Sequence, residues 1–202
     1  MGGPGAATPG TGPAETAAPG TAAPHAPVRS VLVLTASDRS AAGSRADTSG
    51  ELVGARLEAI GFRVDRAVVA DDVAAIADAL VAGAATHVLV VTTGGTGLTP
   101  RDVTPQATRT VLDYEIPGIA EAMRADGRRR TPFAALSRGV AGVRGRTLIV
   151  NLPGSPKGAV ESLETVVPLL GHALETLAGP FDHAAARAAG RTDLPPGMPQ
   201  EG

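Results

Sequence analysis

The sequence of 202 residues contains no cysteine, and this absence excludes disulfide bonds, thiolate metal sites and cysteine nucleophiles. Aromatic residues are scarce, because the chain has no Trp, one Tyr and three Phe. Platforms that bind single-stranded nucleic acid are built from stacked aromatic rings. We therefore expect no nucleic-acid partner of this kind.

An excess of positive charge is also lacking, since the formal net charge is −2. Such a chain has no overall positive field that would attract nucleic acid or an acidic membrane surface. The one local basic run, residues 128–130, is interpreted as a solvated loop. Long hydrophobic runs are missing as well, because the longest apolar stretches are far too short to span a bilayer.

The first residues contain no Lys or Arg and no compact apolar run, so a secretory signal peptide is not predicted. We expect a cytoplasmic protein with no membrane partner. Residues 1–27 are mainly Gly, Pro, Ala and Thr, which cannot bury enough apolar surface to offset their ordering entropy. We predict one folded domain over residues 28–180, with a disordered tail at residues 1–27 and a largely disordered one at residues 181–202.

Short continuous apolar runs predict strands that are buried on both faces. These runs are Val31–Leu34, Val88–Val91 and Leu148–Val150. Residues 62–69 alternate only in part, which favours a strand nearer the edge of a sheet. Because these strands alternate with amphipathic helical stretches, we predict an α/β fold with a mostly parallel central sheet that is covered on both sides.

Capping residues mark the predicted helix starts. The four starts are Thr48 with Glu51 in a capping box, Asp71 or Asp72, Thr104 as a cap before Pro105, and Ser155 as a cap before Pro156. Gly61 is predicted to end the first of these helices. Residues 116–143 are expected to hold a helix and one or two short strands.

In open parallel sheets, ligands bind in the crevice beyond the carboxyl ends of the strands. Three loops are predicted at this edge. The first, residues 35–50, is long for a strand-to-helix connection, and long loops are often functional. It carries the oxygen-bearing groups of Ser37, Asp38, Asp47 and Ser49, although turn and capping roles, taken alone, explain them slightly better.

The second loop, residues 92–105, has three glycines between positions 94 and 97. Glycines let the backbone approach a ligand closely and can aim successive N–H groups into one anion-binding concavity. The helix that follows adds free N–H groups and the positive end of its dipole. A plain turn needs one or two glycines, so an anion site is the favoured interpretation.

The third loop, residues 151–158, repeats this arrangement with a Gly turn and a Ser cap. It also contains Lys157, the single lysine of the chain. An ammonium group at a helix start opposes the helix dipole. An anionic partner near Lys157 is therefore the more economical interpretation.

Neither Gly-rich loop is a Walker A motif or a Rossmann fingerprint, so the residues predict a phosphate-bearing small ligand without identifying it. Four carboxylates, those of Asp38, Asp47, Asp71 and Asp102, fall in these loops or at strand ends. Each alone is more often a cap or an arginine partner. Together they have the oxygen ligands that Mg²⁺ prefers when it bridges phosphates.

Several segments resemble the MoaB/Mog family of molybdenum-cofactor proteins. The resemblance covers roughly residues 29–178 and is most specific in Thr-Thr-Gly-Gly-Thr-Gly and Pro-Arg-Asp-Val-Thr-Pro of the second loop. The other matching segments are Ser37–Arg39, Asp47–Gly50, Pro132-Phe133, Leu136–Arg138, Gly142–Gly145 and Asn151–Lys157.

This resemblance implies a three-layer α/β/α fold, a homotrimer, and adenylation of molybdopterin with ATP as co-substrate and Mg²⁺ as cofactor. The terminal phosphate of molybdopterin would attack the α-phosphate of ATP, and pyrophosphate would leave. A separate molybdenum-insertion protein would then act on the product.

The resemblance also assigns residues to roles. It implies that molybdopterin contacts Thr93, Gly94, Gly95, Thr96, Gly97, Pro153, Gly154, Ser155 and Lys157. It places Ser37, Asp38, Asp47, Ser49 and Gly50 on the nucleotide side. Asp102 and Asp71 match catalytic positions, and Asp47 and Asp102 are candidate Mg²⁺ ligands. The chain reads Ala70-Asp71-Asp72 where the family usually has Pro-Asp-Glu, and Ser155 stands where other members often have Asn or Gln.

Two alternatives to the transferase stay open. A paralogue with the same fold would bind molybdopterin without adenylating it, and ATP turnover discriminates between the two. A related domain occurs in nicotinamide-nucleotide salvage proteins, but that function predicts a further domain. A purely structural protein is the least expected, because two Gly-rich anion loops lie at the predicted edge of the sheet.

Overall fold

The computed structural model describes residues 1–3 and 29–179. The tails predicted at residues 1–27 and 181–202 therefore lie outside the described residues, apart from residues 1–3. Within the described part of the chain, no helix is both long enough and apolar enough to cross a membrane.

A six-stranded sheet forms the centre of the described domain, with strand order β2-β1-β3-β6-β5-β4. Strands β2, β1, β3 and β6 are parallel, whereas β5 runs antiparallel to β6 and β4 runs antiparallel to β5. The prediction of a mostly parallel sheet is confirmed. The strands are β1 (Ser30–Ala36), β2 (Arg63–Val69), β3 (Leu89–Thr93), β4 (Tyr114–Glu115), β5 (Ala141–Arg144) and β6 (Thr147–Leu152).

Helices cover both faces of this sheet. They are α1 (Asp38–Ala41), α2 (Thr48–Ala59), α3 (Val73–Ala84), α4 (Thr104–Val111), α5 (Pro117–Gly127) and α6 (Pro156–Ala178), with a 3-10 turn at Pro132–Leu136. Residues 116–143 thus hold a helix, the 3-10 turn and a short strand, which agrees with the expectation for this segment.

The apolar runs are buried on both faces because successive side chains of a strand point to opposite sides. Val31 and Val33 of β1 pack with α2, α5 and α6, whereas Leu32 and Leu34 pack with α3 and α4. Each fully buried Leu or Ile side chain contributes about 1.5–3 kcal/mol relative to an exposed one. The two cores establish the three-layer α/β/α fold.

Strand β2 lies at one edge of the sheet, as its partial alternation predicted. The predicted end of α2 is confirmed, because Gly61 follows the helix with a positive φ of 93°. The capping box at Thr48 is wrong. The N-cap is Asp47, whose side chain accepts a hydrogen bond of 2.9 Å from the Gly50 N–H, so Thr48 is already the first helical residue.

The cap predicted at Thr104 is also wrong. Val103 occupies the N-cap position of α4, and Thr104 and Pro105 are the first two helical residues. The Thr104 N–H donates to the Gly95 carbonyl at 3.1 Å, and its hydroxyl is buried without a hydrogen-bond partner. The caps at Asp72 and Ser155 are confirmed by hydrogen bonds that their side chains accept from backbone N–H groups three residues on.

Candidate functional site

The three loops meet at the carboxyl edge of β1, β3 and β6. Thr35 of β1 is in register with Thr93 of β3, which is in register with Leu152 of β6. The Ser49 hydroxyl donates to the Gly154 carbonyl at 2.8 Å, joining the first loop to the third. The meeting point is a cleft of about 370 Å³, named here the polar cleft, lined by residues 35–37, Ser40, residues 45–49, Thr93, Gly94, Gly154 and Ser155.

The glycines of the second loop are required by close backbone packing. Gly94 and Gly95 both have positive φ, at 92° and 61°. A Cβ atom on Gly94 would lie 2.3 Å from the Ala36 carbonyl oxygen, and one on Gly95 would lie 2.2 Å from the Thr104 hydroxyl. These contacts press the second loop against β1 and α4, so its N–H groups have little freedom to reorient.

Asp47 connects the first loop to the sheet. Its carboxylate accepts hydrogen bonds from the Gly50 N–H (2.9 Å), the Thr35 hydroxyl (2.9 Å) and the Arg66 guanidinium (3.0 Å). Because Thr35 donates its only hydroxyl hydrogen to Asp47, the contact of 3.1 Å between Thr35 and Thr93 has Thr93 as the donor. The chain Asp47–Thr35–Thr93 therefore holds the first and second loops together.

The sequence places Thr35 at the start of the first loop and assigns it no role, whereas in the structure it belongs to β1 and its hydroxyl donates to Asp47. Its register with Thr93 is the only signal that could have identified it, and that register requires the sheet. Gly50 lies directly over this cluster, since a Cβ on Gly50 would be 2.2 Å from an Asp47 carboxylate oxygen and 2.7 Å from the Thr35 hydroxyl. Position 50 therefore has no room for a side chain beside Asp47 and Thr35.

Asp38 and Asp71 lie together beside the polar cleft. The Asp38 N–H donates to the Asp71 carboxylate, and the Asp71 N–H donates to the Asp38 carboxylate, both at 3.0 Å. Arg101 binds the Asp38 carboxylate with Nε at 2.9 Å. Hydrogen bonds from Arg101 and from the Asp71 N–H lower the pKa of Asp38. No sequence pattern links Arg101 to Asp38, because the two residues are 63 positions apart.

The carboxylate of Asp102 contacts the backbone of its own loop. Its carboxylate accepts a hydrogen bond of 2.7 Å from the Thr99 N–H. Burial raises the pKa of Asp102, but hydrogen bonds from Thr99 and from the Gly97 N–H, together with the charge of Arg138, outweigh burial and leave that pKa below its ordinary value. Asp102 is therefore ionised at neutral pH, as a catalytic carboxylate or metal ligand requires.

A second cavity, of about 290 Å³, also borders the second and third loops. It is named here the apolar cavity, because Ala120, Met123, Phe133, Ala134, Leu136 and Pro153 contribute to its wall, together with Thr96, Gly97 and Ser155. Ser155 lines both the apolar cavity and the polar cleft. The sequence did not predict this cavity, because its wall is built from the segment 116–143.

The side chain of Asn151 links secondary-structure elements next to the second and third loops. It is fully buried at the end of β6, and its amide donates to the hydroxyls of Thr92 and Thr108, each at 3.0 Å. Its side-chain amide oxygen accepts a hydrogen bond from the Val140 N–H at 3.3 Å. Asn151 thereby joins β3, α4 and the start of β5 into one rigid support.

Lys157 stands apart from both cavities. It lies in the first turn of α6 with 85% of its side chain exposed, and its ammonium is 4.0 Å from the Glu161 carboxylate. It lies outside the residues that line the polar cleft and the apolar cavity. Its predicted contact with an anion stays a prediction.

The candidate Mg²⁺ ligands do not converge. In residues 1–3 and 29–179, no group of three or more His, Cys, Asp or Glu side chains could hold a metal ion. Asp47 already accepts three hydrogen bonds, and a metal contact would have to displace or share one of them.

Comparison with known proteins agrees with this architecture. The model of a family described as a probable molybdopterin binding domain matches residues 32–172. The molybdopterin adenylyltransferase of Helicobacter pylori strain J99 is 38% identical over 156 residues, which are 74% of this chain and 88% of that protein. The molybdenum cofactor synthesis protein cinnamon of Drosophila melanogaster is 47% identical over 89 residues, which are 44% of this chain and 15% of the fly protein.

Among solved structures, the molybdopterin biosynthesis enzyme MoaB from Thermus thermophilus superposes with a TM-score of 0.69. It is 51% identical in sequence, and the match covers 77% of this chain and 100% of that chain. Among the segments that resemble the family in sequence, Ser37–Arg39, Asp47–Gly50 and Asn151–Lys157 contribute residues to the polar cleft, and Pro132-Phe133 and Leu136–Arg138 contribute residues to the apolar cavity. The chain therefore belongs to the family of probable molybdopterin-binding domains, within its MoaB/Mog group.

Proposed function

We propose that this protein is an enzyme of molybdenum cofactor biosynthesis that adenylates molybdopterin. In this reaction an oxygen of the terminal phosphate of molybdopterin attacks the α-phosphorus of ATP. The bond between the α-phosphorus and the oxygen that bridges to the β-phosphate breaks, and pyrophosphate leaves. Relatives that are 38% identical over most of this chain carry the name of this activity, which supports the proposal.

The observation that carries the proposal is the wall shared by the two cavities. The polar cleft is lined by Ser37, Asp47 and Ser49, and the apolar cavity by Met123 and Phe133. We place ATP in the polar cleft and the pterin ring system of molybdopterin in the apolar cavity. The terminal phosphate of molybdopterin then lies at the shared wall, where Ser155 faces both compartments.

Backbone groups at this wall can hold the reacting phosphates. Helix α6 begins at Pro156, and its first N–H groups and positive dipole end face the third loop. Gly94 and Gly154 approach each other closely, since a Cβ on Gly154 would lie 3.1 Å from the Gly94 Cα atom. This close packing fixes the positions of both loops before substrate binds. Positioning of this kind contributes a large part of the rate of phosphoryl-type transfer.

The side-chain chemistry needs no strong general base. A phosphate nucleophile is already ionised near neutral pH, so catalysis depends on in-line positioning and on neutralising negative charge. Arg45 lines the polar cleft, and Asp102 is ionised in the second loop, where its carboxylate lies against Thr99 and against Gly97, a residue of the apolar cavity wall. When bound, Mg²⁺ would neutralise phosphate charge, with Asp102 and Asp47 as its candidate protein ligands, and Asp71 is the second candidate catalytic carboxylate.

The MoaB/Mog relationship leads us to extend the proposal to the assembly. We propose a homotrimer in the cytoplasm that passes the adenylated product to a separate molybdenum-insertion protein. The second candidate function is a molybdopterin-binding paralogue without transferase activity. The poor convergence of the acidic residues in the described part of the chain is the observation that favours this second candidate.

A direct assay tests the proposal. Purified protein is mixed with molybdopterin, ATP and Mg²⁺, and both adenylated molybdopterin and pyrophosphate are quantified. We expect both products from the wild type, and a turnover reduced at least 100-fold in Asp102→Asn with molybdopterin affinity changed less than threefold, because loss of a transition-state charge contact costs about 10²–10³ in kcat. Binding of molybdopterin without formation of adenylated molybdopterin would favour the second candidate, the molybdopterin-binding paralogue. Equal loss of turnover and binding in Asp102→Asn would remove Asp102 from the catalytic group.

A further inference from the structure

Arg138 contacts the second loop from a distant part of the chain. It lies between the 3-10 turn at Pro132–Leu136 and β5, about 40 residues after the loop that it contacts. Its side chain is partly buried and does not line the polar cleft or the apolar cavity. It borders a third cavity, of about 340 Å³, together with Arg109 and Arg124, and the hydrogen bonds of its side chain go to the second loop.

Three carbonyl groups of the second loop point at Arg138. The Arg138 N–H donates to the Thr96 carbonyl at 3.0 Å. Its Nε donates to the Gly97 carbonyl at 2.6 Å, and its terminal NH2 donates to the Asp102 carbonyl. The planar guanidinium fork thus bridges two carbonyls that are five residues apart in sequence.

This bridge determines where the N–H groups of the loop point. In a planar trans peptide the carbonyl and the following N–H point in opposite directions. Because the Thr96 carbonyl faces Arg138, the Gly97 N–H faces away from Arg138 and toward the Asp102 carboxylate, to which it donates. The Thr99 N–H donates to the same carboxylate at 2.7 Å. Arg138 therefore binds carbonyl groups of the loop, and the Asp102 carboxylate binds its N–H groups.

We propose that Arg138 is a positioning residue for Asp102. Its guanidinium fork locks the segment from Gly97 to Asp102, and the locked N–H groups hold the Asp102 carboxylate in place for adenylyl transfer. The proposed catalytic consequence rests on the proposed function, whereas the locking of the loop does not. The fork acts by geometry, because one ammonium group cannot reproduce two planar N–H donors aimed at separate carbonyls.

Two variants separate geometry from charge. Arg138→Met removes the donors and the charge, and Arg138→Lys retains the charge and loses the fork. Arg144→Met is the matched control, because Arg144 also donates from a partly buried position to a backbone carbonyl, that of Val111 at 2.8 Å, but lies in the β5–β6 hairpin. Arg144→Met removes one contact of the same type without touching the second loop.

Steady-state kinetics and amide hydrogen exchange give two independent readouts. We expect kcat to fall at least about tenfold in both Arg138 variants, because a misplacement of about 1 Å can cost up to 10²-fold in rate. The KM for ATP should change less than about twofold, since the fork does not contact the polar cleft. Backbone amides at residues 97–103 should exchange at least about tenfold faster in both variants. Arg144→Met should leave kcat and these exchange rates unchanged.

The outcomes are decisive in each direction. If Arg138→Lys keeps the kcat of the wild type, or if the exchange rates at residues 97–103 are unchanged in it, the positioning role is overturned. If Arg138→Met does not fold, Arg138→Lys carries the test alone, because it keeps the charge and most of the side-chain volume. If the wild type forms no adenylate, the proposed function fails, and the exchange comparison still decides whether Arg138 locks the loop.

Discussion

The hydroxyl of Ser49 and the carbonyl of Gly154 lie 2.8 Å apart and join two loops that are 105 residues apart in the chain. Both residues line the polar cleft, and Ser49 is 7% exposed. This hydrogen bond closes the cleft where the first loop meets the third. The shape of the cleft therefore depends on a contact between the start of α2 and the turn before α6.

Ser49→Ala should open this side of the cleft. The Gly154 carbonyl loses its donor, and an unsatisfied, partly buried acceptor of this kind costs about 1–3 kcal/mol. We expect a fall in the melting temperature of about 2–8 °C and a higher KM for ATP, measured by calorimetry and steady-state kinetics. Ser44→Ala is the control, since Ser44 donates to the Arg39 carbonyl at 2.9 Å in an exposed position. Equal effects of both changes on KM would contradict the role of Ser49.

Gly94→Ala should destabilise the protein strongly. The added Cβ would lie 2.3 Å from the Ala36 carbonyl oxygen, at a residue whose φ is 92°. Strain in the backbone and steric overlap together predict a loss of about 2–5 kcal/mol in the free energy of unfolding, measured with denaturant. Gly43→Ala isolates the backbone part, because Gly43 has a φ of 70° and no atom within 4 Å of an added Cβ. The control should lose about 1–2 kcal/mol.

Arg101→Gln should raise the pKa of Asp38. In the folded wild type the pKa of Asp38 lies below its ordinary value of 3.8, chiefly because of hydrogen bonds from Arg101. A lowered folded-state pKa stabilises the fold above the unfolded-state pKa, and this contribution disappears as the pH falls through the folded value. The variant should therefore be less stable than the wild type at neutral pH, and the difference should narrow in acid. NMR titration of the Asp38 carboxyl carbon measures the shift directly.

Arg129→Gln is the control for the change in net charge. Arg129 pairs with Asp126 at 3.5 Å and is 82% exposed, in the turn after α5. It should leave the pKa of Asp38 unchanged. An Asp38 carboxyl that titrates in Arg101→Gln as it does in the wild type would show that the ion pair between Arg101 and Asp38 does not form in solution.

Ala134→Leu should fill part of the apolar cavity. Ala134 lies in the 3-10 turn and contributes to the cavity wall. If the pterin ring system occupies this cavity, the variant should raise the KM for molybdopterin at least about tenfold, because steric overlap with a ligand costs about 1–3 kcal/mol. The KM for ATP should not change. Ala74→Leu, on the exposed side of α3, makes the same substitution outside both cavities and should alter neither constant.

Much of the fold was predictable because its strands are short continuous apolar runs. Val31–Leu34 and Leu148–Val150 are buried on both faces, and a run this short and this apolar is typical of a central strand in a parallel sheet. The loops that follow them were identified by glycine content and chain order. The caps were less predictable, because Asp47 and Thr48 are both good capping residues and only the backbone dihedral angles decide between them.

The interactions that shape the site were not predictable, because they join distant parts of the chain. Arg101 binds Asp38 across 63 residues, and Arg138 binds the second loop across about 40. Both arginines stood inside recognised motifs, but a motif does not reveal its partner. The apolar cavity was hidden for a related reason, since Met123 and Phe133 come from a helix and a 3-10 turn with weak periodicity.

The wall around Ser155 has a consequence for what happens after catalysis. A product that joins a ligand of the polar cleft to a ligand of the apolar cavity spans that wall and is bound at both ends. Its two halves then bind as linked ligands, so the second contact forms at a high effective concentration. The joined molecule should dissociate more slowly than either of its precursors. Under the proposed function, departure of the product rather than bond formation would limit turnover, and a partner able to extract it would accelerate the cycle.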